Sequence, residues 1–591
     1  MTIADNDRYH RHREACAAGP WSRAALGETW LTMLLFGSMG AITWAIRGTG
    51  GWGGIDGTIV PGMTWGLLWC YLCHRKGIDA RGIPLWLGLG IALGGELGYG
   101  QYVSWIRGMF NVGDAVVPVA PWIGWAWFAL CGIGWGGLGG IALGWTLGGR
   151  TSASVWLVRL VVPLGAALLA RLVIQAVPWL FFPNWDLGFY LPRAGNALHP
   201  TIVSTTTQTS MLLVWLAAAL LVTFNWAVSE KTRGPRRLVR SVSLVAVACT
   251  VVLSMRLSGW LFFPEDSLGL GSGEFGKHLG RTVYTNAQNA TVVAWWLGAL
   301  LVAAIQRDRS TLAAGALLGG GFGFGFALAA LWCLGYAWAP GLVDWWKMWE
   351  LSAGFNLGLL YAVVLAWSVR QLDRTSGPNG LARATRNEAA GSGYARWCET
   401  AALAVGVFLV VYVMGREEFP TVAILLGLFY AVALALATRA TDRAGDPQSV
   451  TERRRSISVT YSAFLLLFIM AWGVSSQTGI LLGLYDAKAV DQYAWPRARV
   501  LLFAPAGVLI AGTALRRTWR ILRGHQAPAR PQPEARRLGL HMVDLMTLTG
   551  VVGAASIWPA KIGVLYALFL ALALFAFHRL DCRLDAIDAR P

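Results

Sequence analysis

Sixteen apolar runs, each close to the length of a bilayer-crossing helix, dominate the 591 residues of this chain. About 20 mostly apolar residues are needed to carry a helix through roughly 30 Å of hydrocarbon. A lone segment there must satisfy its backbone polar groups internally, which leaves the helix as its only form. The runs are 30–46, 58–73, 83–105, 122–147, 155–177, 207–228, 241–263, 290–305, 311–338, 350–369, 399–414, 420–437, 457–474, 499–515, 541–558 and 562–578. They predict an all-α, polytopic integral membrane bundle of about sixteen helices, and of fourteen at the least if the weakest runs fail. Only 14% of residues are charged and the mean hydropathy is +0.51. Soluble domains carry roughly 25% charged residues, so a water-soluble enzyme and a nucleic-acid-binding chain are both excluded.

The net charge of +18 reads as topology. Lys and Arg collect on cytoplasmic loops, and counting alternate connections places 35 of the 49 basic residues on one side and 11 on the other, with Arg159, Arg171 and Arg256 inside runs. A miscounted helix would scramble this alternation downstream. An even count then puts both termini in the cytoplasm. The organisation expected is a polar tail (1–29) without the apolar core of a signal peptide, a ten-helix block (30–369), an Arg-, Gly- and Ser-rich linker (370–398), a six-helix block (399–578) and a second tail (579–591).

Internal repetition points to in-out-in helical hairpins used several times. Gly62-Met63-Thr64-Trp65-Gly66-Leu67-Leu68-Trp69 aligns with Gly354-Phe355-Asn356-Leu357-Gly358-Leu359-Leu360-Tyr361. The spacing Gly90, Leu93, Gly94, Gly95, Gly98, Gly100 returns without a gap as Gly315, Leu318, Gly319, Gly320, Gly323, Gly325. Trp179-Leu180-Phe181-Phe182-Pro183 recurs as Trp260-Leu261-Phe262-Phe263-Pro264, with Gln208 and Gln288 following at offsets that differ by one residue. Gap-free spacing of this kind is the signature of repeated units. Glycines four residues apart, as in Gly132 with Gly136, let helix backbones approach closely. Six glycines within residues 48–57 cannot hold a spanning helix, since each costs about 1 kcal/mol against Ala. A loop or re-entrant segment is expected there, bringing Arg47 and Asp56 to the outer face.

Familiar chemical motifs fail on context. Gly48, Gly50 and Gly53 match a dinucleotide fingerprint, but no strand precedes them. Cys70-Tyr71-Leu72-Cys73-His74 matches a haem attachment sequence, but it falls at the cytoplasmic end of its run. The eight histidines lack zinc-ligand spacing. No cofactor and no metal are expected.

Ionisable groups inside runs cost at least about 2.5 to 3.5 kcal/mol each on insertion scales and mark functional paths. The candidates are Glu96, Arg171 and Arg256; Arg159 lies only a turn from the cytoplasmic end of its run and can snorkel. Arg47 and Arg107 both follow Ile at the outer boundary, and planar guanidinium groups suit carboxylate or phosphate. Thr64, Gln208, Gln288 and Asn356, at the outer ends of descending helices, add neutral hydrogen-bonding groups. Together with Asp56 these ten residues form the expected substrate site. Other outer-loop charges, including Asp344, Lys347 and Glu350, stand among tryptophans read as interface anchors. The first functional reading is a permease for a polar, anionic or polyhydroxylated small solute, whose partners are that solute and the lipid bilayer and not nucleic acid. The alternative is a membrane-embedded transferase or hydrolase acting on a lipid-linked or saccharide substrate, with Asp56 or Glu265 as general base.

The topology is tested by reporter fusions. Fusions at Arg233, Arg386, Arg453 and Arg530 are expected to report cytoplasm and those at Asn196, Gly273 and Asp486 the outside; one inverted pair would remove the sixteen-helix arrangement.

Overall fold

Glycines placed at helix crossings shape what is seen of this chain. The computed structural model describes residues 23–49, 55–75, 87–88, 90–91, 100–112, 115–147, 289, 293, 296–297, 299–300, 303–304, 307–375, 425, 428, 432 and 560–588. Its helices are α1 (Arg23–Thr49), α2 (Ile55–Arg75), α3 (Gly100–Trp105), α4 (Pro121–Leu147), α5 (Arg309–Ala329), α6 (Trp345–Thr375) and α7 (Ala560–Asp588). Strands β1 (Met109–Val112) and β2 (Ala115–Pro118) pair antiparallel between α3 and α4. A 3₁₀ turn, Ala330–Leu334, and a last helical turn, Gly335–Trp338, continue α5.

Among the described residues four helical stretches are long and apolar enough to cross a membrane: Pro121–Gly144, Arg309–Trp338, Trp345–Ser368 and Val564–Ala586. The described chain is thus overwhelmingly helical, as its hydropathy predicts, with one short hairpin in what the sequence marks as an outer connection. Helix ends run past the apolar runs: 58–73 becomes Ile55–Arg75, and 350–369 becomes Trp345–Thr375. Pro61 is the seventh residue of α2, past the first turn, so the helix forgoes the bond that an N–H there would make to the Gly57 carbonyl. Helices α1 and α2 stop at Thr49 and start at Ile55, so both flank the glycine-rich stretch. The runs 155–177, 207–228, 241–263, 399–414, 457–474, 499–515 and 541–558 lie outside the described residues, as do residues 376–398 of the linker and the Trp-Leu-Phe-Phe-Pro pair; residues 370–375 belong to α6.

The chain forms two compact units, residues 96–338 and the remainder. In the remainder, α1 crosses α6 antiparallel. A Cβ at Gly40 would collide with the Gly354 carbonyl, one at Gly354 with the Gly40 carbonyl, and one at Gly358 with the Phe36 carbonyl. Helix α7 lies along the other side of α1, where Ala41, Ile42, Ala45, Leu351 and Tyr566 form a buried cluster. Tyr71 donates to Asp581, and Arg583 reaches Gly27, so the start of α1 and the ends of α2 and α7 share one end of this unit.

In residues 96–338, α4 and α5 pack antiparallel along a stripe of four glycines at four-residue spacing. Cβ atoms at Gly132, Gly136, Gly140 and Gly144 would strike Phe322, Leu318, Ala314 and Thr311 in turn. Such spacing places all four on one helix face. The Trp296 indole fits against Gly137 and Gly319 and donates to the Gly315 carbonyl at 2.9 Å. Asp308 caps α5 by accepting from the Thr311 amide at 3.1 Å, the usual cure for an orphan first-turn donor. Outward positions of α5 and α7 are apolar, with Leu317, Phe324, Leu328, Val564, Leu568 and Phe575 exposed.

A paired prediction follows from these crossings. Gly136→Ala or Gly358→Ala forces backbone apart and is expected to cost about 1 to 3 kcal/mol, the usual range for overpacking. Gly320 has nothing within 4 Å of its Cβ position, so Gly320→Ala is expected to gain up to about 1 kcal/mol of helix propensity. Thermal unfolding of detergent-purified protein reads both, and equal shifts would refute the packing argument.

Candidate functional site

Helix α6 opens with Asp344, whose Oδ1 accepts from the backbone amides of Trp346 and Lys347 at 3.0 and 3.2 Å. That cap fixes the first turn and sets Lys347 and Glu350 one turn apart on the same face. Lys347 Nζ pairs with Glu350 Oε2, and the other carboxylate oxygen accepts from Trp346 Nε1 at 3.0 Å. Glu350 is 1% exposed and Lys347 6%. The ammonium also reaches the Ala45 carbonyl of α1 at 3.4 Å. A cation in the first turn of a helix opposes the helix dipole, whereas one near a helix C-terminus is favoured. Lys347 sits at both at once, disfavoured by α6 and favoured by α1. Hydropathy assigned these residues to an outer loop because two charges depress the window; their mutual pairing is what lets the helix begin earlier.

The predicted residues distribute as follows. Arg47 lies on α1 two residues beyond Ala45, and Asp56 is the second residue of α2. The backbone therefore gathers Arg47, Asp56 and the Lys347–Glu350 pair at one end of their unit. Thr64 is buried and Asn356 half-buried. They are the tenth of 21 residues in α2 and the twelfth of 31 in α6. At about 1.5 Å per residue this is some 14 to 17 Å into each helix, so both lie deeper than the outer ends where the apolar runs put them. Beside Thr64, Trp65 stacks on Tyr361 with ring centroids 4.9 Å apart. Glu96, Arg171, Gln208, Arg256 and Gln288 lie outside the described residues.

In residues 96–338 a second polar group is enclosed in aromatic rings. Asn289, 0% exposed, donates from Nδ2 to Tyr102 Oη at 2.8 Å and also hydrogen-bonds with the Cys131 thiol. Tyr102 stacks on Trp127 at 5.7 Å and meets Trp105 edge-on at 5.3 Å. Asn289 Oδ1 has no hydrogen-bond partner among the described residues. Arg107, half-buried in the turn after α3, likewise has a buried Nε with no partner among the described residues. Sequence reading named Gln288 and passed over its neighbour Asn289, because the partner tyrosine is 187 residues away. Among the described residues no group of three His, Cys, Asp or Glu side chains is placed to hold a metal. No known protein family, curated protein or solved structure matches this chain.

Breaking a buried ion pair from one side strands the other charge. Lys347→Met or Glu350→Gln alone is expected to destabilise by about 3 to 5 kcal/mol, while the double apolar change Lys347→Met with Glu350→Leu recovers most of the loss. Unfolding midpoints of the two singles and the double decide it, and additive losses would show that the pair is not coupled.

Proposed function

We propose that this protein is a multi-pass membrane permease for a polar small solute, anionic or polyhydroxylated, with a site opening to the extracytoplasmic side. The observation that carries the reading is the Lys347–Glu350 pair, buried at the end of a membrane-length helix and bonded across to α1. Ionisable groups retained at such cost inside membrane helices line solute and ion paths or hold the contacts that open and close them. Arg47 and Asp56 on the same end of that unit add fixed charge for steering a solute inward.

The proposed frame is sixteen helices built from repeated hairpins, with both termini cytoplasmic. Its support is directional: α1 runs antiparallel to α6 and α7, and α4 antiparallel to α5, as alternation along the chain requires. Arg47, Asp56, Thr64, Glu96, Arg107, Arg171, Gln208, Arg256, Gln288 and Asn356 remain the proposed lining. Carrying solute through the bilayer needs no nucleotide, and no cofactor is proposed.

Purified full-length protein in liposomes tests the reading. Uptake of labelled phosphate, succinate, glucose or glycerol above protein-free vesicles is expected for at least one probe. With normal folding, Arg47→Gln together with Arg107→Gln is expected to lower the affinity for an anionic probe by about tenfold, near 1.4 kcal/mol. No uptake of any probe, with the protein folded and correctly oriented, would overturn the permease.

A further inference from the structure

We infer that the enclosed group around Asn289 is the occluded form of a binding site for an uncharged polyhydroxylated solute. The inference names a solute class for the permease reading and rests on it for the route by which solute arrives. Its starting point is Asn289 Oδ1, a fully buried acceptor without a partner among the described residues. Leaving a buried amide oxygen unpaired is costly, and its Nδ2 is already committed to Tyr102. The missing partner must therefore be a donor.

That requirement separates solute classes. A carboxylate or a fully ionised phosphate monoester offers only acceptors to this atom. An ammonium would donate, but the described side chains on Asn289 (Tyr102 and Cys131) and those packed on Tyr102 (Trp105, Trp127 and Phe128) include no carboxylate to balance its charge. A hydroxyl donates without bringing charge. The C–H faces of a polyol also pack against aromatic walls, and pockets of this kind combine many apolar contacts with a few placed polar atoms.

The same rings supply a closure. Phe128 packs on Tyr102 at 5.9 Å and on Phe326 at 5.7 Å. Four residues beyond Phe326 the α5 backbone changes to a 3₁₀ turn, Ala330–Leu334, whose hydrogen bonds have poorer geometry and mark a place where a helix bends. Swinging Phe326 away from Phe128 would open one wall of the Tyr102–Asn289 group.

Cys131 provides a built-in reporter. Full-length protein in lipid nanodiscs is treated with N-ethylmaleimide, and alkylation of Cys131 is followed by peptide mass spectrometry with and without glycerol, glucose, myo-inositol, succinate or ammonium. Alkylation slowed by at least one uncharged polyol, and not by succinate or ammonium, is expected. In Asn289→Leu, alkylation without polyol continues and the concentration giving half-protection rises about tenfold, as loss of one buried hydrogen bond implies. Tyr102→Phe, which keeps the ring and frees the amide, is expected to weaken protection in the same direction if Asn289→Leu does not fold. No alkylation of Cys131 in the wild type, protection by no polyol, protection by ammonium instead, or equal protection in the variants would each overturn the site. Protection without liposome uptake would retain the site and remove the permease; uptake without protection would do the reverse.

Discussion

The Phe36 carbonyl oxygen is where three helices meet. Gly358 of α6 lies so close that any Cβ would collide with it, and Trp65 of α2 donates its indole N–H to it at 3.1 Å. A backbone carbonyl has two lone pairs, so one can serve its own helix while the other binds a neighbour. In hydrocarbon, helices gain nothing from burying apolar surface, and association depends on van der Waals contact and interhelical hydrogen bonds. Both are available at Phe36 because glycine removes the side chain that would separate α1 from α6. The Trp296 bond to the Gly315 carbonyl repeats this physical solution in residues 96–338.

Glycine and tryptophan, 71 and 32 in number, are thus coupled rather than separately abundant. Close crossings leave wider gaps on their flanks, and the Trp65 and Trp296 indoles fill such gaps while their N–H groups reach carbonyls. Trp44, Trp65, Trp69, Trp105, Trp127, Trp135 and Trp349 are fully buried. Composition alone points to lipid-interface anchoring, a role that fits the exposed Trp30, Trp122 and Trp338 better. The distinction is invisible in sequence because it depends on which face of a helix meets glycine on another.

Hydropathy made the helices legible where apolar character is continuous: the run 122–147 corresponds to Pro121–Leu147 almost to the residue. It failed at the start of α6, where Lys347 and Glu350 look like loop residues until each is seen to cancel the other. A readable signal did exist there, an Asp in N-cap position followed by oppositely charged residues three apart. The Asn289 group left no comparable trace. Its amide, phenol and thiol come from three separate segments, and only the fold brings them together.

The two kinds of contact between α1 and α6 respond differently to water. At Gly40 and Gly354 the backbones touch, and separating them forfeits dispersion contacts that water does not restore. Ala45 and Lys347 lie five and seven residues further toward the other end, about 7 to 10 Å away along the helices. There, admitting water rehydrates the ammonium and carboxylate and offsets much of the lost Coulomb attraction, since the net value of an ion pair is small once it is solvated. Splaying the helices at their charged end is therefore far cheaper than parting them at the glycines. The crossing is thus held by close packing at one point and by an ion pair at the end that carries Arg47 and Asp56, two contacts that differ in what water can replace.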